Sequence, residues 1–164
     1  MRANRGKDTS PELLLRQSLR DTGGAGYRLH SRAIPGRPDI AYFGPRIAVF
    51  VHGCFWHRCP KCAIGRPKSH SEFWEGNFAA NAERDRRVSR VLRSEGWLVV
   101  IVWEHEVRQN SGRAAMRVIR AVRSRRRPSG RPAAPPLPVP EDPGPLEVAS
   151  YSRTNLRVFE HGLV

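Results

Sequence analysis

Ile47-Ala48-Val49-Phe50-Val51-His52-Gly53-Cys54-Phe55-Trp56-His57-Arg58-Cys59-Pro60-Lys61-Cys62 is the stretch on which the fold turns. It opens as an unbroken apolar run of strand character. From His52 onward, eleven positions hold all three cysteines, two of the six histidines and two adjacent aromatics. Metal ligands, acid–base groups and flat apolar surface therefore meet at one strand end. A site that works on a polyanion asks for that mixture.

The flanking residues build a sheet around this strand. Asp39-Ile40-Ala41-Tyr42-Phe43 reads as a strand, Gly44-Pro45 as a tight turn and residues 46–51 as the hairpin partner. Pro35-Gly36-Arg37-Pro38 is a loop, since two prolines do not serve a central strand, and residues 27–30 are a short strand. Residues 10–20 predict a first helix: Ser10 caps it, Pro11 suits its first position, and Leu15 and Leu19 lie four apart on one face. Residues 71–94 predict a second, with Ser69 and Glu72 at capping-box spacing and Gly96 past its end. Gly76 weakens its first turns, which leaves open one helix or two shorter ones. Residues 97–103 are apolar throughout, as in a central strand buried on both faces. Residues 109–125 predict a basic helix with Ala115, Val118, Ile119 and Val122 on one side.

At 164 residues the chain is long enough for one modest domain. Eight of its fourteen prolines fall between residues 128 and 145, which predicts a folded domain over 1–125 and a Pro/Arg-rich, disordered tail over 126–164. The net charge of +14 and the pI of 11.3 point to nucleic acid as the partner. Residues 1–112 carry 19 Lys+Arg against 11 Asp+Glu, and residues 113–164 carry 10 against 4. The folded part is thus basic by itself, and the tail is expected to add attraction. No apolar run has membrane length and the first residues lack a signal-peptide core, so the expected location is the cytoplasm, at the nucleoid.

Four constellations carry chemistry. Cys54, Cys59 and Cys62 supply three soft ligands, and zinc takes four in a tetrahedron. His105, just past the apolar run, is the preferred fourth, with His57 the rival. Reduced cysteines without metal are the plainer reading. Asp39 opens one hairpin strand and His52 closes the next, so both reach the same sheet end. A carboxylate there suits Mg²⁺, and His52 or His57 can orient or deprotonate a water; Glu12 is a supporting carboxylate. Alone, Asp39 is more often a strand-end cap. Phe55, Trp56 and Trp74 are candidate wedges between base pairs, or simply packing for the cysteine loop. Arg84, Arg86 and Arg87 either line a phosphate track or form a solvated helix face.

The residues Pro35-Gly36-Arg37-Pro38-Asp39, Val49 through His57, Glu72-Phe73-Trp74, Asn81 with Glu83-Arg84-Asp85-Arg86-Arg87, and Gly96-Trp97 through Glu104 are collinear with, and resemble, the very short patch repair (Vsr) DNA mismatch endonucleases. The likeness extends over roughly residues 1–108 and includes Glu12. It implies an α/β, restriction-endonuclease-like fold, a central mixed β-sheet flanked by helices with a structural zinc loop. That fold commonly pairs an Asp with a later acidic-x-Lys motif. Here Phe50-x-His52 stands in the motif's place, a departure the family shares, and the resemblance implies that the Val51 main-chain carbonyl joins Asp39 as the Mg²⁺ ligand.

The resemblance further implies that Glu12, His52 and His57 support hydrolysis, with His57 as general base. It implies that Phe55, Trp56 and Trp74 insert beside a mismatch, and that Cys54, Cys59, Cys62 and His105 hold Zn²⁺. Many relatives carry His and Cys where Cys59 and Cys62 stand and Cys where His105 stands, so the ligand types look exchanged. A longer N-terminal arm that grips DNA in relatives is expected to be short here, with weaker binding or compensation by the tail. The implied activity is Mg²⁺-dependent nicking of one strand of double-stranded DNA beside a T:G mismatch, by a monomer, with mismatch-repair proteins as candidate partners. A restriction nuclease acting on paired DNA and a non-catalytic zinc-stabilised DNA-binding module are the alternatives.

Overall fold

A computed structural model describes residues 7–62, 64, 65, 67 and 71–126. In chain order the elements are α1 (Ser10–Asp21), β1 (Arg28–Leu29), β2 (Ile40–Tyr42), β3 (Ile47–His52), α2 (Ser71–Ser94), β4 (Leu98–Trp103) and α3 (Glu104–Arg125). The strands form one sheet in the order β1-β2-β3-β4. β1, β2 and β3 pair antiparallel, while β3 and β4 are parallel. That parallel pair needs a crossover, and α2 supplies it.

Strand alternation then sorts the helices onto two faces. Ile40, Tyr42, Ile47, Val49 and Val102 pack with Leu15 and Leu19 of α1 and Val107, Val118 and Val122 of α3. The intervening Ala41, Ala48, Phe50 and Val99 face Val88 and Leu92 of α2. The architecture is therefore a mixed α/β sandwich. Gly36, at φ +74°, lets the loop before β2 lie on α2, because a Cβ there would meet Val88 Cγ1 at 2.3 Å. This contact seats the segment that delivers Asp39.

Several boundaries differ from expectation. Thr9 rather than Ser10 caps α1, because Glu12 reaches back to accept the Thr9 hydroxyl at 2.7 Å and the Thr9 N–H at 3.4 Å. α2 runs unbroken through Gly76, since the roughly 1 kcal/mol cost of one helical glycine is smaller than the gain from packing the apolar face. Ser69, its expected cap, lies outside the described residues. α3 starts at Glu104, where the Glu106 carboxylate accepts the Trp103 N–H at 3.0 Å. Asn110 (φ −160°, ψ 90°) interrupts it, and its side chain caps the continuation by accepting the Arg113 N–H at 2.8 Å. β4 is an edge strand, so most of it is only partly buried and Val102 alone is fully covered.

The tail falls outside the described residues from 127 onward. The positive surplus assigned to it belongs elsewhere: residues 113–126 hold six arginines and no acid, whereas residues 127–164 hold four Lys+Arg and four Asp+Glu. The surplus of charge lies in the second half of α3 and the residue after it. No helix among the described residues is long and apolar enough to cross a membrane.

Candidate active site and metal centre

Strand register builds the candidate metal centre. β3 and β4 end level, with His52 opposite Trp103. Two residues further on, Cys54 and His105 are neighbours: His105 Nδ1 lies 3.3 Å from Cys54 Sγ and 3.5 Å from Cys59 Sγ. With Cys62, all four donor atoms fall within 4.8 Å of one another. A zinc tetrahedron with bonds of ~2.0–2.3 Å has edges of roughly 3.6 Å, so donor types and spacing both fit. The Cys59 N–H donates to the Cys54 carbonyl at 2.9 Å, closing the turn that gathers the thiols. Desolvation raises Cys54 as well as Cys62, whereas at Cys59 it is outweighed by hydrogen bonds from the Lys61 and Cys62 backbone and from the neighbouring thiols, which lower it. Desolvation and then hydrogen bonds with Cys54 and Cys59 push Cys62 up to about 12.

At the same sheet end lies an open cleft of about 1280 Å³, lined by Glu12, Asp39, Val51, His52, Trp56, His57, Arg84 and Arg108 among others. Asp39 Oδ2 accepts the Val51 N–H at 2.7 Å. In an antiparallel pair a residue's N–H and C=O leave the same edge, so the Val51 carbonyl belongs to the edge that faces Asp39. Burial raises Asp39 to about 6, an effect that the Val51 hydrogen bond opposes and nearby Glu12 reinforces. A buried carboxylate short of positive charge fits a hard divalent cation.

The two cleft imidazoles act together. The rings of His52 and His57 stack with centroids 3.8 Å apart and planes 12° from parallel. His57 Nδ1 is 2.5 Å from Asp85 Oδ2. A carboxylate only accepts, so Nδ1 carries the proton and Nε2 is left as the basic atom. His52 is lowered to about 4, by desolvation first and then by the charge of His57. It stays neutral at pH 7.

Other expected residues take different roles. Glu12 is buried at 4% exposure and accepts from the Asp8 N–H, the Thr9 hydroxyl and Arg16 Nη2. It organises the start of α1 while also lining the cleft beside Asp39. Phe55 packs edge-on against Trp56, Trp74 and Phe78 with centroids 5.3, 5.4 and 5.4 Å away. Of the three candidate wedges, Trp56 alone lines the cleft, at 38% exposure. Arg84 also lines it, whereas Arg86 pairs with Glu83 at 3.2 Å, and both Arg86 and Arg87 lie outside the lining. Arg37 and Arg108 join the lining instead.

The site also holds residues that sequence reasoning passed over. Phe78, Asn81, Asp85, Val88 and Leu92 recur at helical spacing, and the apolar members face the core. Two polar residues on an apolar stripe were a legible sign that this part of α2 faces a site. Asn81 donates to the Trp56 carbonyl at 3.2 Å and Asp85 holds His57. His30, beside Asp39, left no such sign.

A family model described as DNA mismatch endonuclease Vsr matches residues 1–63. The chain is 44% identical over 108 residues to the Type II nicking enzyme V.XorIIP of Xanthomonas oryzae pv. oryzae, covering 65% of this chain and 78% of that one. It is 40% identical over 108 residues to the DNA mismatch endonuclease Vsr of Escherichia coli K12, covering 66% and 69%. The Type II nicking enzyme V.NaeI of Lentzea aerocolonigenes is 39% identical over 119 residues, covering 68% and 69%. With a cleft of carboxylate and paired imidazoles beside a Cys3His cluster, and relatives matched over most of their length, the chain belongs to the Vsr family of DNA mismatch endonucleases and is a DNA endonuclease, a hydrolase.

Proposed function

We propose that the protein nicks one strand of duplex DNA beside a T:G mismatch in a Mg²⁺-dependent reaction, on a restriction-endonuclease-like fold. The observation that carries this reading is the convergence of Asp39, the Val51 edge and the His52–His57–Asp85 group on one cleft bordered by Arg84, Arg108 and Trp56. Asp39 and the Val51 carbonyl would hold the Mg²⁺. When bound, that ion polarises the phosphate and offsets its charge.

The chain's own groups supply the rest. His57 Nε2 takes a proton from the attacking water while Asp85 holds the opposite nitrogen and stabilises the imidazolium that forms. The water oxygen bonds to phosphorus, and the bond to the leaving sugar oxygen breaks, that oxygen taking up a proton from solvent water. Neutral His52 offers a hydrogen bond to a phosphate oxygen without competing for the proton. Arg84 and Arg108 attract the backbone. Trp56 offers an exposed ring edge for a mispaired step, which costs less to unstack than a paired one.

Cys54, Cys59, Cys62 and His105 hold Zn²⁺ and pin the loop that carries Trp56 and His57. The folded unit is residues 1–125, acting as a monomer, with mismatch-repair proteins as the expected partners. A nicking assay in Mg²⁺ on one duplex carrying either T:G or C:G in randomised flanks tests the reading. Nicks in the T strand alone, lost in Asp39→Ala, are expected. Equal cutting of C:G would instead indicate a restriction nuclease.

A further inference from the structure

The ladder between β1 and β2 ends with Leu29 opposite Ile40, and one step beyond it the His30 N–H lies 3.4 Å from the Asp39 carbonyl oxygen. His30 holds a left-handed backbone, φ 43°. Its ring occupies the gap between the start of α1 and the Asp39 carboxylate. Arg16 Nη2 is 2.8 Å from His30 Nε2, while the Asp8 and Glu12 carboxylate oxygens are 3.4 and 3.8 Å from the same nitrogen.

The shortest of these contacts, to Arg16, favours one tautomer over the one that the longer Asp8 contact would need. A guanidinium has donors only, so at 2.8 Å the His30 Nε2 accepts and the ring's proton resides on Nδ1. That Nδ1–H lies 3.8 Å from Asp39 Oδ1, a charge–dipole contact rather than a hydrogen bond. The other carboxylate oxygen, Oδ2, is held by the Val51 N–H. Arg16 is itself 5% exposed and tied to Asp8 and Glu12, so the relay is anchored in the core at its far end.

We propose that His30 is a positioning residue for Asp39, aiming its Nδ1–H at the oxygen that Val51 leaves open and so orienting the carboxylate toward its cation. This rests on the reading of Asp39 as the Mg²⁺ carboxylate. Partners of this kind, placed behind a metal ligand, typically change metal affinity or activity by roughly 10–100-fold. A carboxylate has lone pairs enough to accept both protein contacts and still bind an ion.

The test compares wild type, His30→Ala and His30→Asn, with Asp39→Ala as reference. An Asn amide can replace the Nδ1–H, and Asn adopts the left-handed backbone readily. Two quantities are read: the Mg²⁺ dissociation constant from the metal-dependent rise in melting temperature, and the Mg²⁺ concentration giving half-maximal nicking. Expected is a rise of about tenfold or more in both for His30→Ala, with His30→Asn returning to within about threefold of wild type. Should His30→Ala not fold, His30→Leu, which fills the space, is read in its place. An unchanged Mg²⁺ requirement overturns the proposal, as does a loss that is the same at every Mg²⁺ concentration or is not restored by Asn. Either result with Asp39→Ala inactive leaves the metal reading standing. Full activity of Asp39→Ala overturns both.

Discussion

His57 Nδ1 and Asp85 Oδ2 are 2.5 Å apart, joining the cysteine loop to α2 beside the cleft that His57 lines. Removing the carboxylate frees His57 to turn and to take the other tautomer. We expect Asp85→Ala to lower the single-turnover nicking rate about 100-fold, within the usual span for a general base. The Asp85→Ala/His57→Ala double variant should be no slower than His57→Ala alone, because groups acting as a unit are non-additive. Multiplying losses would show that the two act independently.

Asp39 gives a pH signature. Its folded value of about 6 lies above the ordinary 3.8. Folding therefore favours the protonated form. The associated stability is fully present below 3.8 and is lost as pH rises through about 6. At pH 8, in buffer without Mg²⁺, the ionised buried carboxylate destabilises the protein. Asp39→Asn is expected to be more stable than wild type there by about 2 kcal/mol. The advantage should shrink on acidification below pH 6 and invert when Mg²⁺ is added at pH 8. Melting curves at pH 5 and 8 check this, and an advantage independent of pH would show that burial of charge is not its source.

The Cys3His cluster, read as a zinc site, predicts a separable loss. Metal analysis of the purified protein should find one zinc per chain, released with a fall in melting temperature by a strong chelator. His105→Cys keeps four zinc-binding donors and should retain the metal. His105→Ala should lose it and slow nicking by at least tenfold, because the loop holding Trp56 and His57 is no longer pinned. Retention of zinc by His105→Ala would point to another fourth ligand.

The parts legible in the sequence were those set by local pattern. The apolar runs gave β3 and β4, and their level ends followed only from the register that pairs His52 with Trp103. That register brings His105 to the cysteines, so the favoured fourth ligand and its rival His57 separate in space. Helix boundaries were less legible because side chains set them: Glu12 moved the cap to Thr9, and Glu106 started α3 early. Asp85 was hidden among arginines, and its role depends on which helix face meets the cleft. His30 depended on a strand only two residues long.

Charge placement yields the last prediction. Arginines 113, 117, 120, 123, 125 and 126 belong to α3 and the residue after it; Arg117 pairs with Glu106 at 3.0 Å, and residues 113–126 themselves contain no acid. Residues 127–164 are electrically balanced, four against four. The salt dependence of DNA binding counts phosphates neutralised by cations. A chain ending at residue 126 should therefore bind a T:G duplex within about threefold of the full chain, with the same slope of log affinity against log salt. Arg84→Ala and Arg108→Ala, both in the cleft lining, should each reduce that slope by about 1. If truncation instead flattened the slope by two units or more, the tail arginines would be in contact with phosphate, and the folded domain would no longer account for the affinity on its own.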